Sequence, residues 1–129
     1  MPNQNVVSTD ILQDTQALAG SGNGTVGGAE VTRLSRSAKI LELWVDVTAI
    51  DPGVTDGEVI LEARLENTLG WFEVLKITGI TTAVVTTTPK AFASAAARWG
   101  ESPLGHIVRA RYNFVGGSVT AQVRVVRKE

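Results

Sequence analysis

From Lys39 onward, apolar and polar positions alternate with a period of two. Over residues 39–49, Leu41, Leu43, Val45, Val47 and Ala49 fall on one face, and Ile40, Glu42, Trp44, Asp46 and Thr48 on the other. That spacing predicts a half-buried strand. Asp51-Pro52-Gly53 and Asp56-Gly57 supply turn chemistry. Residues 58–66 alternate again, with Val59, Leu61, Ala63 and Leu65 inward and Glu58, Glu62, Arg64 and Glu66 outward. After a turn at residues 67–70, residues 71–77 read as a third strand and the Thr/Val-rich residues 81–88 as a fourth, ended by Pro89. Residues 106–114 and 118–126 read as the last two strands. His106, Val108, Ala110, Tyr112 and Phe114 face inward on the first, and Val119, Ala121, Val123 and Val125 on the second. Val115-Gly116-Gly117-Ser118 between them predicts a two-residue hairpin turn.

Two segments break this pattern. Residues 90–100, KAFASAAARWG, carry the strongest helical propensity in the chain and predict a loop or one or two helical turns. Residues 1–38 have few large hydrophobes and a glycine-rich middle, Gly20-Ser21-Gly22-Asn23-Gly24 followed by Gly27-Gly28. They read as an extended arm, flexible by composition, holding one or two short strands. The division is therefore an N-terminal arm over 1–38 and a β-domain over 39–129. Six or seven short strands with turns every eight to twelve residues predict an all-β antiparallel β-sandwich, immunoglobulin-like or jelly-roll.

Composition sharpens this reading. The chain has 129 residues, enough for one domain, and 17 Val, 7 Ile and 14 Thr exceed a quarter of it. These β-branched residues suit pleated surfaces. No apolar run approaches the length of a membrane-spanning helix, and the first basic residue is Arg33, so neither a membrane nor a charged secretory start is expected. The formal net charge is −1, which gives no reason to expect nucleic acid. The charge is nonetheless lopsided: residues 1–66 carry ten acids and four bases, and residues 67–129 three acids and eight bases.

Cysteine is absent, which removes disulfides, thiolate metal sites and cysteine nucleophiles together. A single histidine, His106, cannot build a multi-histidine metal site, and it alternates onto an apolar face with no nucleophile and carboxylate spaced to use it. Asp51, Asp56 and Glu58 gather three carboxylates in one loop but follow no EF-hand spacing, so a solvated turn is expected. The glycines at 20–28 lack a P-loop lysine. No enzyme, cofactor or metal is expected. Candidates for protein contact are the spaced anchors of the arm, Val6, Val7, Ile11, Leu12 and Leu18; the outward stripe Arg109, Arg111 and Arg124; and Trp44, opposite Leu43 and Val45. An alternative use of exposed tryptophans is as a sugar-stacking platform, which makes a carbohydrate-binding module the rival reading.

Two stretches carry a resemblance. Leu65-Glu66-Asn67-Thr68-Leu69-Gly70-Trp71-Phe72-Glu73-Val74 leads through a polar turn into a Trp-containing strand. Leu104-Gly105-His106-Ile107-Val108-Arg109-Ala110-Arg111-Tyr112-Asn113-Phe114-Val115-Gly116-Gly117 opens an Arg-rich strand with Leu-Gly and closes it with Gly-Gly. On these motifs residues 40–127 resemble small β-sandwich proteins from the virion structural modules of tailed bacteriophages. The turn at 67–70 lacks that family's Asp-Gly, and the arm is long. The resemblance implies a virion structural protein assembled in the bacterial host cytoplasm. The role it implies is capsid decoration (cement), or else a tail or head–tail connector component. Its implied partners are the major capsid protein or other virion proteins, with a homo-oligomer, a trimer, around a local threefold axis. In that role the arm would bridge neighbouring subunits by adding a strand to a sheet edge. A chain shortened by residues 1–28 would then remain folded.

Overall fold

The computed structural model describes residues 6–27, 32–34, 40–64, 70–96 and 106–128. All regular structure among them is β: β1 (Val6–Asn23), β2 (Thr32–Leu34), β3 (Ile40–Ile50), β4 (Asp56–Arg64), β5 (Phe72–Ile77), β6 (Lys90–Ala96) and β7 (His106–Lys128). Every pairing is antiparallel and belongs to one sheet. β7 is its spine. On one flank β3 pairs with residues 119–128 and β4 with residues 107–115; on the other, β1 runs along residues 111–128 and β2 along 106–108. β5 pairs with β4, and β6 with β3.

The sheet bends where β7 changes the parity of its inward side chains. Phe114 and Val119 both point into the core although an odd number of steps separates them. The sequence pattern resolved this conflict with a hairpin at 115–118. The chain resolves it with a bulge: β7 continues as one 23-residue strand, and Gly116 takes a φ of 95°. β1 crosses the same bend by a shorter route, spending only Ala19 between the pairs Leu18↔Val119 and Gly20↔Phe114. The β3–β4 loop turns beside the bulge, and a Cβ on Gly116 would collide with the carbonyl oxygen of Gly53. Asp51 fastens the two together, its Oδ2 accepting from Ser118 N at 2.8 Å and Ser118 Oγ at 3.0 Å.

Bent this way, the sheet nearly closes into a barrel. On one side β1 curls until Asp14 N donates to Thr25 O at 2.9 Å and Thr25 N to Gln13 Oε1 at 2.9 Å. On the other side β5 and β6 approach without forming a ladder among the described residues. The enclosed core holds the alternating residues read from the sequence: Leu41, Leu43, Val45 and Val47, then Val59, Leu61 and Ala63, then Val108, Ala110 and Phe114, then Val119, Ala121, Val123 and Val125. Ala49 leaves this face and is exposed, because the β3–β7 register shifts between Val47 and Ala49. Leu65 and the His106 side chain lie outside the described residues.

Three further expectations are corrected. Residues 81–88 form no strand. Thr81 O accepts from the amides of both Val84 and Val85, which makes a turn, and Thr82 N donates to Val54 O at 3.0 Å. Val85 of this segment, with Ile80 just before it, is buried in the core. Lys90–Ala96 is strand β6, not helix, because pairing with β3 outweighs alanine's propensity at a sheet edge. Finally, β1 within the segment read as an arm is an 18-residue strand of the same sheet, and it delivers Leu12 and Leu18 into the core. Each of those side chains contributes about 1.5–3 kcal/mol of burial. Excising β1 would remove both side chains from this chain's own core, so a chain lacking it is expected to lose stability. Gly24 here answers crowding: a Cβ on it would lie 2.6 Å from Leu12 O.

Candidate functional site

Among the described residues, the outer face of the sheet carries most of the ion pairs. Strand alternation sends Glu42, Trp44 and Asp46 of β3, Glu58, Glu62 and Arg64 of β4, and Arg109, Arg111 and Arg124 of β7 to that face. Because β3 and β4 flank β7, the acid-rich part of the sequence lies directly beside the base-rich part. Register makes Glu62 the cross-strand partner of Arg109, with Trp44 opposite Arg124.

Around β4 and β7, the Nε of Arg109 donates to Glu62 Oε1 at 2.9 Å, and Arg111 Nε reaches Glu62 Oε2 at 3.4 Å. Glu62 is buried although it faces outward, since the long cationic side chains lie over it. Trp71 receives two guanidinium groups, Arg109 at 4.1 Å and Arg64 at 4.6 Å from its ring centroid. Lys76 of β5 pairs with Glu58 at 3.2 Å.

A second group occupies β3 and the end of β7. Arg124 Nε donates to Asp46 Oδ2 at 3.0 Å and its guanidinium lies 5.1 Å from the Trp44 ring centroid. Trp44 Nε1 donates to Glu42 Oε1 at 3.1 Å, and Lys128 Nζ to Glu42 Oε2 at 3.1 Å. Burial opposes ionisation of Glu42, but these two hydrogen bonds and the lysine charge outweigh it and hold its carboxyl below the ordinary range. Arg127, nearly fully buried at 2% exposure, pairs with Asp10 of β1 at 3.3 Å.

The stripe Arg109, Arg111 and Arg124 is thus brought together with carboxylates of the neighbouring strands, and Trp44 joins it. Among the described residues, acids from the first half of the sequence and bases from the second pair across neighbouring strands of the sheet. The anchors of β1 separate. Leu12 and Leu18 are buried in this chain's core, Ile11 is exposed at 38%, and the Val6 and Val7 side chains lie outside the described residues. The carboxylates of the 51–58 loop do not converge: Asp51 turns to Ser118 and Glu58 to Lys76. No group of three potential metal-ligating His, Cys, Asp or Glu residues occurs among the described residues. Sequence reading missed Glu62, Asp46, Glu42 and Trp71 as members of this surface. The charge split between the two halves was the signal that could have found the carboxylates.

Beside Arg111 lies a half-open depression of about 260 Å³, bordered by Ser21, Asn23, Glu58 and Asn113. Ser21 Oγ and Asn113 Oδ1 are 2.9 Å apart and bonded to each other across it.

In its present arrangement the face can present fixed charge and aromatic surface to a partner. Arginine guanidinium groups lie over the rings of both Trp44 and Trp71. Neither a protein-family model nor a curated protein matches the chain.

Proposed function

We propose that this chain is a non-enzymatic virion structural protein that binds and stabilises the capsid shell of a tailed bacteriophage. The observation that carries the reading furthest is the set of cross-strand pairs on the outer face. Arg109, Arg111 and Arg124 are held by Glu62 and Asp46, with Trp71 and Trp44 packed among them. Arg and Trp are the residue types that anchor protein interfaces. Side chains already fixed in one geometry lose less entropy on docking, which favours a rigid body that adds contacts to an assembled lattice. The likeness of residues 40–127 to phage virion β-sandwich proteins directs the proposal to a shell, with the major capsid protein as partner and copies of the chain grouped on it.

The deciding experiment is on particles made by the replicon that encodes the chain. Cryo-electron microscopy is expected to place it on the outside of the shell with the β3–β4–β7 face against capsid protein. Deleting its gene is expected to lower the heat resistance of the particles. Density on the tail or neck would favour the connector role instead, and purified particles without the chain would sink both.

A further inference from the structure

Of the asparagines Asn3, Asn5, Asn23, Asn67 and Asn113, only Asn23 precedes a glycine. Asn-Gly is the dipeptide most open to intramolecular deamidation, because no side chain shields the glycine nitrogen. The Gly24 nitrogen attacks Cγ of Asn23 and gives up its proton, the C–N bond of the side-chain amide breaks, and ammonia leaves. The succinimide so formed is opened by water at either carbonyl, giving aspartate or isoaspartate.

The fold opposes each part of that reaction. Asn23 is the last residue of β1, paired opposite Arg111. Extended backbone at Asn23 turns the Gly24 nitrogen away from the Asn23 side chain, whereas ring closure needs them together. The nitrogen is also committed, donating to Ala110 O at 2.7 Å. Thr25, next along, is pinned to Gln13 and Asp14 at 2.9 Å each. We infer that Asn23–Gly24 is a deamidation site gated by the docking of the end of β1: silent while that side of the barrel is closed, and reactive once it lets go.

The two products differ in what they allow afterwards. Aspartate keeps the backbone length and sets a carboxylate opposite Arg111, so this end can dock again. Isoaspartate routes the chain through the side chain and inserts an extra carbon between positions 23 and 24. Gly24 has no slack to absorb it, since even a Cβ there would lie 2.6 Å from Leu12 O and 3.1 Å from the Ala110 Cβ. Each isoaspartate therefore fixes an opening event that closure cannot reverse.

The test incubates the full chain and an Asn23→Gln variant at mildly alkaline pH, folded and in urea. Isoaspartate is measured by enzymatic methyl transfer and located by mass spectrometry. Residue 23 is expected to convert in urea, and at least about tenfold more slowly in the folded chain, as its opening equilibrium dictates. The variant should give no isoaspartate at 23 in either condition. After urea is removed, chains with aspartate at 23 should regain the folded near-ultraviolet spectrum and those with isoaspartate should not. Equal rates in folded and unfolded chains would overturn the gating. So would a Gly24 amide that exchanges hydrogen as fast as a free peptide in the folded state.

Discussion

Gly116 faces Gly53 across the bend of the sheet so closely that neither could carry a side chain. A Cβ on Gly53 would lie 2.8 Å from Gly116 O, and one on Gly116 would collide with Gly53 O. The same bend requires Gly116 to hold a φ of 95°, which side chains of L-residues resist. Gly116→Ala is therefore expected to destabilise the fold by about 2–4 kcal/mol, from backbone strain and overpacking together. Gly70→Ala, where nothing lies within 4 Å and φ is not positive, should change stability by less than about 0.5 kcal/mol. Urea unfolding of both variants checks the contrast; equal losses would mean the bend tolerates a side chain.

β1 is expected to behave as part of the core. Leu18, 1% exposed, should cost about 2–5 kcal/mol when cut to Ala, and Ile11, 38% exposed, much less. Deleting residues 1–28 should abolish the cooperative thermal transition. A truncated chain that melts like the full one would restore the picture of a detachable arm.

The alternation along residues 41–47, 59–63, 108–114 and 119–125 revealed which side chains enter the core, because a strand of period two sorts its faces from local information alone. What joins those strands was less legible. A parity change between Phe114 and Val119 fits a hairpin and a bulge equally well, and only the partners β1, β3 and β4 decide between them. Thr/Val content over residues 81–88 indicated pleated surface, yet the bonds to Thr81 O make a turn. Alanines in Lys90–Ala96 indicated helix, yet β3 presented an edge to pair with. The arginines of β7 were visible as an outward stripe, while their carboxylates, some fifty to eighty residues earlier in the chain, became neighbours only through register. The opposite charges of the two halves held that pairing in plain sight, but without a topology they do not say which strands bring the charges together.

Asp51 should make stability fall in acid. The amide and hydroxyl of Ser118 donate to its carboxylate and hold its pKa below the ordinary value, with burial opposing them weakly. A carboxyl whose folded pKa is depressed adds stability above its unfolded pKa and loses it as pH falls through the folded one. Wild type should melt a few degrees above Asp51→Ala at neutral pH, and the gap should narrow below about pH 4. A gap that does not change with pH would mean the Ser118 bonds do not depend on the charge.

The outer face offers a sharper test of the pairing itself. Arg109 has both a carboxylate, Glu62, at 2.9 Å and an indole, Trp71, at 4.1 Å. Lysine keeps the charge but not the planar fork that lies on the ring while bonding the carboxylate. Arg109→Lys is thus expected to lose about 0.5–1 kcal/mol, the size of a partly exposed cation–π contact. Arg109→Ala should lose more, because Glu62 is largely buried, with a side chain only 10% exposed, and would keep just the looser Arg111 contact at 3.4 Å. Removing both in Arg109→Ala/Glu62→Ala should then cost less than the two single losses added together, since no buried carboxylate is left without its nearer partner. Urea denaturation of the three variants and Arg109→Lys gives the cycle directly. Strict additivity would mean that the two side chains lie side by side without coupling, and that the outer face is not the preset surface its geometry indicates.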